Sequence, residues 1–289
     1  MKNPPLFIIG AGRSGTNMLR DAICTLEPFE TWPCDEINYI WRHGNLRKED
    51  DRFTKNEINA SVKKYISHQF DKLAIKTQAE FIVEKTCANT LKIPFIADIF
   101  PEAKYVFIVR DGKDVAASAK KRWKASLEIK YISKKAKFVP VTDLPYYGFR
   151  YLNNRLKKIF SKDQQLAFWG PIYPGMKDDL KKRTLAEVCA KQWKTCVETA
   201  YADLKHLGDD QVFFLKYEDF VQNPEDKIND ILVFLGISLS KEKIAQSVKQ
   251  VSAKSIGNYR ANLSATEQEA VEKITQSTMD NLYSQLSNE

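Results

Sequence analysis

The sequence predicts an α/β protein of three layers, a central parallel sheet flanked by helices, carrying one irregular or helical insertion. Three observations predict it. Short apolar runs suited to buried parallel strands alternate with stretches of helical periodicity. The first run passes through a glycine-containing loop directly into a helix. The residues with reactive or charged side chains gather just after the apolar runs, where open α/β sheets take their ligands.

Leu6 to Ile9 is the first buried strand, and Met18, Leu19, Ala22, Ile23 and Leu26 give the helix that follows. "NEINASVKKYISHQF", from Asn56 to Phe70, places Ile58, Val62, Tyr65, Ile66 and Phe70 on one face of an amphipathic helix. Phe81 to Val83 reads as a second strand ending at Glu84 and Lys85, and Leu91 to Phe100 as a helix stopped by Pro101. "KYVFIV", Lys104 to Val109, has the β-branched and aromatic content of a buried strand and delivers Arg110 and Asp111 at its end. From Gly112 the chain becomes a helix whose last turn is basic, as the helix dipole favours.

Between 123 and 182 the periodicity weakens, and Pro, Gly, aromatic and Lys residues mix in "KFVPVTDLPYYGFRYL" and "FWGPIYPGM". This stretch is the expected substrate-side insertion or lid within one domain spanning 1–289. Its Trp123, Tyr131, Tyr146, Tyr147, Tyr151, Trp169 and Tyr173 either stack on a sugar ring or pack the insertion against the domain. Helical pattern resumes from Leu185 to Leu204, and a strand at Val212 to Leu215 ends at Lys216 and Tyr217. A helix from Pro224 to Leu235 stops at Gly236. The last helix begins at Ser264, with Glu267 three residues on as a capping box.

Composition narrows the function. With 43% hydrophobic and 28% charged residues the chain is globular in type, and no apolar run approaches the roughly 18 residues of a membrane span. "MKNPP" leads too quickly into the first strand for a signal peptide, so a cytoplasmic location is expected. Five cysteines without a C-x-x-C pair and three histidines without ligand spacing predict free thiols and no metal site. The net charge of +8 calls for an anionic ligand or partner, without choosing among nucleic acid, a membrane surface and a phosphorylated small molecule.

The loop "GAGRSGTN", Gly10 to Asn17, narrows it further. Its spacing fits G-x-x-x-x-G, which makes the expected fold P-loop-like, but Thr16 stands where the phosphate-binding Lys belongs and Asn17 where the magnesium-holding Ser or Thr belongs. A loop entering a helix N-terminus offers backbone N–H groups to an anion, and Arg13 adds a fixed charge. A triphosphate would lack the groups that neutralise it during transfer, whereas a single 5′-phosphate does not need them. "VFIVRDGKDVAASAKKR" admits a competing reading in which Asp111 holds magnesium at a strand end, but Arg110 beside it weakens any attraction for a cation. Arg110, Ser118 and Arg122 can instead converge on a second phosphate.

In this order and spacing, "PLFIIGAGRSGTNML", "YVFIVRDGKDVAASAKKR" and "FLKYEDFVQNPEDKINDILVFLGI" resemble the sulfotransferases that use 3′-phosphoadenylyl sulfate (PAPS). The R-S-G-T loop and "RDGKDV" are most similar to the bacterial and Golgi-type branches, tyrosylprotein sulfotransferases included, and the similarity covers about residues 5–122 and 185–265. The resemblance implies PAPS as sulfonate donor, PAP as product and no metal. It implies a 5′-phosphosulfate loop at Gly12, Arg13, Ser14, Gly15, Thr16 and Asn17, where the last position is more often Thr, and a 3′-phosphate site at Arg110 and Ser118. It further implies contacts from Arg122 and Tyr217, and a closing segment "KSIGNYRANLS", with Lys254 as a cofactor contact, in which Gly257, Asn258, Tyr259 and Arg260 follow the family's G-D-W-K only loosely. The cytosolic animal branch draws its base from a K-T-H segment, and this chain has Lys85, Thr86 and Cys87 there. The Golgi-like branches use a Glu after the first helix. "TWPCDEINYIW" puts Glu36 in the matching region, with Asp35 as neighbour and rival, while Lys85 and Arg13 stabilise the transferring group.

The expected activity is therefore metal-independent sulfonate transfer to a hydroxyl or amine of a carbohydrate, glycolipid or small metabolite. No nucleic acid is expected as partner, and peripheral contact with a membrane stays open. The rival readings are a P-loop small-metabolite kinase, which requires magnesium and ATP, and a non-enzymatic RNA-binding or membrane-surface protein using the lysines of 120–137.

Overall fold

The computed structural model describes residues 3–124, 139–149, 152 and 169–286. Five strands, β1 (Leu6–Ile9), β2 (Phe29–Glu30), β3 (Phe81–Glu84), β4 (Lys104–Val109) and β5 (Val212–Lys216), form one sheet in the order β2-β3-β1-β4-β5. Every pairing is parallel. From the central β1 the chain builds β3 on one side and β4 on the other. The strand order therefore reverses at the C-terminal end of β1, the place where such sheets open a crevice for a ligand.

Strand alternation sorts the apolar residues into two cores. Leu6, Ile8, Val106 and Ile108 meet the helices α1 (Thr16–Ile23) and, later in the chain, Pro224–Phe234, through Leu19, Ile23, Ile228 and Ile231. Phe7, Ile9, Tyr105, Phe107 and Val109 point the other way. They meet α2 (Asn38–Trp41), α3 (Ala60–Thr77), α4 (Ile93–Ile99) and α5 (Gly112–Lys124), and beyond them the helices Met176–Lys182, Leu185–Leu204 and Ala265–Gln285. The sheet is thus buried on both faces, which is why its strands read as continuous apolar runs.

Two sequence boundaries shift for local reasons. The expected helix at 56–70 is a 3₁₀ turn at Lys55–Glu57, closed by a Thr54–Glu57 capping box, followed by α3, which starts at the Asn59 cap and runs on to Thr77. The expected helix at 91–100 is a 3₁₀ turn at Cys87–Leu91 and then α4, with Pro94 in its first turn. Strand β2, with two residues, is too short to leave a periodic signal. The last helix keeps its Ser264–Glu267 capping box. Gly236, at φ 70°, ends its helix in a Schellman turn with Gly236 N–H on Val233 O and Ile237 N–H on Leu232 O.

Both ends of the irregular segment belong to the core: Trp123 is fully buried on α5, and Ile172, Tyr173 and Met176 are buried. Tyr131 and Tyr151 lie outside the described residues. No helix among the described residues is long and apolar enough to cross a membrane.

One ionic cluster sits inside this frame. Asp51 receives Arg42 at 3.0 Å, Lys92 at 3.3 Å, Asn38 at 3.2 Å and the Ile172 N–H at 2.9 Å, with Lys92 fully buried. It ties α2, the 3₁₀ turn before α4 and the chain after the irregular segment to one carboxylate. Burial alone would raise the Asp51 pKa, but Lys92 and Arg42 outweigh it and hold the carboxyl at about 2. A depressed carboxyl contributes stability above its unfolded pKa and loses it as pH falls through the folded value. Urea denaturation of the wild type is therefore expected to show a loss of about 2 kcal/mol between pH 4 and pH 2 from this group. At pH 7, Asp51→Asn, which leaves two buried cations without their partner, is expected to lose about 3–5 kcal/mol.

Candidate functional site

A cleft of about 580 Å³ opens at the C-terminal ends of β1, β3, β4 and β5. Its floor is the loop between β1 and α1. Arg13 (φ 77°) and Gly15 (φ 85°) are both left-handed, so the backbone curls tightly around Ser14, whose own N–H closes the turn on Ala11 O at 3.1 Å, and the concavity suits an anion. Gly15 is required twice over: its φ disfavours a side chain, and a Cβ there would lie 2.5 Å from Tyr217 Cδ2. α1 begins on Gly15 with no side-chain cap, leaving its first N–H groups to whatever occupies the cleft. The buried Ser14 hydroxyl has no hydrogen-bond partner among the described residues.

Three guanidinium groups face this floor. Arg13 Nε donates to Ser118 Oγ at 2.9 Å, which joins the loop to the middle of α5. Arg110, at the end of β4, donates to Arg13 O at 3.2 Å and Ser255 O at 2.6 Å, stacks 4.4 Å from the Tyr217 ring centre and pairs with Asp114 at 3.5 Å. Its Nε is buried and has no hydrogen-bond partner among the described residues. Arg122, exposed on α5, lines the same cleft. Burial, then the charges of Arg122 and Arg110, lower the Arg13 pKa. Mutual repulsion of this kind is relieved when an anion enters.

Asp111 does not face the cleft as a metal ligand would. Its Oδ1 accepts the N–H groups of Lys113 and Asp114, capping α5. Tyr217 closes the β5 side, its OH 2.7 Å from Ser255 Oγ. The segment after Ser252 is held down by Asp114, which accepts the N–H groups of Gly257 at 2.7 Å and Tyr259 at 2.9 Å. Ser255, Asn258 and Asn262 from this segment line the cleft. Lys254 and Arg260 are exposed and do not line it.

The opposite wall comes from β3 and the chain before α2. Glu36 Oε1 accepts from Lys85 Nζ and from the Cys87 N–H, both at 3.3 Å. The Lys85 side chain is 2% exposed and that of Glu36 28%, so the lysine stands behind the carboxylate and the carboxylate reaches the cleft. Burial would lower the Lys85 pKa, but the Glu36 carboxylate, together with Cys87 and Asp35, outweighs it and leaves the amine raised and cationic. Burial and the nearby Glu36 charge push the Cys87 thiol up to about 12, leaving it neutral. Asp35 also lines the cleft, but its carboxylate pairs with Arg20 of α1 at 3.5 Å.

Gly12, Arg13, Gly15, Thr16, Asn17, Glu36, Lys85, Arg110, Ser118, Arg122 and Tyr217 thus meet in one cleft, with Ser14 buried beneath its floor. Sequence reading quoted the segment that holds Ser255 and Asn258 but assigned them no role, and it passed over Asp114; their contribution depends on a contact between α5 and a segment more than 130 residues away. Asp114 carried one readable sign, its place one helical turn after Arg110.

A model of the sulfotransferase domain family matches residues 3–286. The protein-tyrosine sulfotransferase of Drosophila melanogaster is 22% identical over 248 residues, 81% of this chain and 38% of that protein, so the chain spans well under half of the fly protein's length. Sulfotransferase 1A1 of Bos taurus is 30% identical over 258 residues, 81% of this chain and 70% of that protein. Among solved structures, the sulfotransferase domain of the Synechococcus PCC 7002 olefin synthase superposes with a TM-score of 0.55 at 15% identity, covering 96% of each chain. Mouse sulfotransferase SULT7A1 complexed with PAP superposes with a TM-score of 0.53 at 16% identity, covering 97% of this chain and 85% of that one. At these identities the superpositions speak for the fold.

The loop geometry carries its own prediction. Gly15→Ala places a methyl group against the Tyr217 ring in a left-handed conformation, and is expected to cost about 1–3 kcal/mol in thermal denaturation. The equivalent change at Gly175, with φ 84° but nothing within 4 Å of its Cβ position, isolates the backbone share of that loss.

Proposed function

The chain belongs to the sulfotransferase domain family, whose enzymes take sulfonate from PAPS and release PAP, and we propose that it transfers that group without a metal to a hydroxyl or amine of a carbohydrate, glycolipid or small metabolite. The observation that carries the reading is the pairing, across one cleft, of an anion-binding loop ringed by guanidinium groups with a lysine-backed carboxylate. The two unpartnered buried groups, Ser14 Oγ and Arg110 Nε, fit a nucleotide with phosphate at both its 5′ and 3′ ends.

When bound, PAPS supplies an activated sulfonate on a phosphate leaving group. The loop N–H groups from Gly12 to Asn17 hold the 5′-phosphosulfate end. Arg110, Ser118 and Arg122 hold the 3′-phosphate. Glu36 would take the proton of the acceptor hydroxyl or amine as sulfonate passes to it and the bond between sulfur and the 5′-phosphate oxygen breaks. Lys85 and Arg13 stabilise the negative charge that collects on the departing oxygen, a task for fixed cations and N–H groups that requires no metal. Glu36 suits the base better than Asp35, because its carboxylate lies against Lys85 while that of Asp35 is drawn to Arg20. Thr16, Asn17 and the Asp111 cap all weigh against a magnesium-dependent kinase.

Trp169 supports an acceptor with a ring. Its indole edge lies 3.4 Å from the Cβ position of Gly12, so it walls the cleft over the loop and offers a flat apolar face with a polar edge. Gln192 fixes it by donating to the Trp169 and Pro171 carbonyls, each at 2.8 Å.

Incubation with radiolabelled PAPS and a panel of glycans, glycolipids, phenols and amines is expected to label at least one acceptor in EDTA. Absence of PAP binding would refute the reading. Glu36→Gln is expected to lower turnover at least about 100-fold while leaving PAP affinity intact. Arg110→Ala is expected to weaken PAP about 10- to 100-fold by calorimetry and to leave adenosine 5′-phosphate unaffected.

A further inference from the structure

Glu84, the last residue of β3, is 2% exposed and forms no ion pair among the described residues. A carboxyl in that position is costly, and an apolar or amide side chain would be cheaper to bury. Its two oxygens are both engaged. Oε1 accepts the Thr86 hydroxyl and Oε2 accepts Asn89 Nδ2, each at 2.6 Å. Thr86 and Asn89 are themselves fully buried.

The Thr86 contact leads to the reacting wall. A hydroxyl has one proton; once it is given to Glu84, the Thr86 oxygen is left to accept. It accepts the N–H of Ile37 at 3.0 Å, and Ile37 directly follows Glu36. On the other side, Lys85 Nζ and the Cys87 N–H both reach Glu36 Oε1. The four consecutive residues Glu84 to Cys87 therefore grip Glu36–Ile37 at three points, two on the carboxylate and one on the backbone behind it.

We propose that Glu84 is a positioning residue for Glu36: by fixing the direction of the Thr86 hydroxyl it holds the Ile37 N–H, and so the backbone that aims the Glu36 carboxylate into the cleft. Burial pushes the Glu84 carboxyl up to about 7, against the opposing hydrogen bonds from Thr86 and Trp41 and the charge of Lys85, so near neutral pH much of it carries a proton. Asn89 Oδ1, buried and without a partner among the described residues, accepts that proton once the amide is turned over. Glutamine in place of Glu84 keeps the acceptor for Thr86 and, with the Asn89 amide turned over, offers Asn89 a donor; alanine keeps neither.

The inference rests on Glu36 as proton acceptor, and one set of variants separates the two. PAP release from PAPS is followed with water as acceptor, so that no acceptor need be known, and PAP affinity is measured by calorimetry. Glu84→Ala and Thr86→Val are expected to lower kcat about 10-fold or more, since small misplacements of a reacting group have effects of that size, with PAP affinity within about twofold of wild type. Glu84→Gln is expected to recover to within about threefold. In a Glu36→Gln background, Glu84→Ala is expected to change the residual rate by less than about twofold, the non-additivity of a residue that acts through another. The proposal is overturned if Thr86→Val turns over like wild type, if Glu84→Gln is as slow as Glu84→Ala, or if the loss is the same in both backgrounds. A Glu36→Gln enzyme with wild-type turnover overturns the assignment of the base itself.

Discussion

The loop from Gly10 to Asn17 is the constraint on which the rest of the molecule depends. It must turn the central strand into a helix within a few residues, and it does so with left-handed Arg13 and Gly15 on either side of Ser14. That turn aims backbone N–H groups at the crevice where the strand order reverses. It also forces Gly15 against Tyr217, which fixes the end of β5, and sends the Arg13 carbonyl to Arg110 at the end of β4. Three strand ends are thereby set by one turn. The cationic groups collected there repel each other, and an anion with charge at two ends is the occupant that settles both the repulsion and the buried orphan donors.

The cleft has two walls with separate supports. The donor wall stands on β1, β4, β5 and the segment from Ser252 to Asn262, latched to α5 by Asp114. The acceptor wall stands on β3, and its register with β1, Leu6 on Val83 and Phe7 on Glu84, brings Lys85 and Cys87 level with the loop. Beneath it, Asp51, Lys92 and Arg42 tie α2 and the chain at Ile172 together, and Gln192 fixes Trp169 just upstream. Burying three ionised groups is weak evidence for stability in itself, but it gives these segments one arrangement. The two walls meet where Thr16 lies 3.8 Å from the Cys87 thiol.

Most of the β1 and β4 side of the cleft was legible because it is local: "GAGRSGTN" and "RDGKDVAAS" each reach the cleft from within a few residues of one strand end. The four longer strands were legible for the same reason, since burial on both faces leaves an uninterrupted apolar run. What was not legible depends on contacts made across long sequence distances or on very few residues. β2 has two residues and no period. α3 begins at Asn59 because Thr54 and Glu57 close a separate turn first, a choice invisible to apolar spacing alone. Asp114 and Ser255 join the site only after α5 meets a segment more than 130 residues later, and Lys254 and Arg260, the basic residues of that segment, face solvent while Ser255 faces in. Glu84 reads as a strand end until Thr86 and Ile37 are seen to connect it with Glu36.

The most direct test of this account compares what the loop binds with and without a divalent cation. Calorimetric titration of the full chain with PAP in EDTA, with PAP in magnesium, and with ATP in magnesium addresses the one point on which every residue assignment turns. The account predicts the same PAP affinity in EDTA and magnesium, and binding of ATP that is weaker by at least about tenfold, since Thr16 and Asn17 give its outer phosphates neither a lysine nor a metal. PAP binding abolished by EDTA, or magnesium-ATP bound more tightly than PAP, would contradict it.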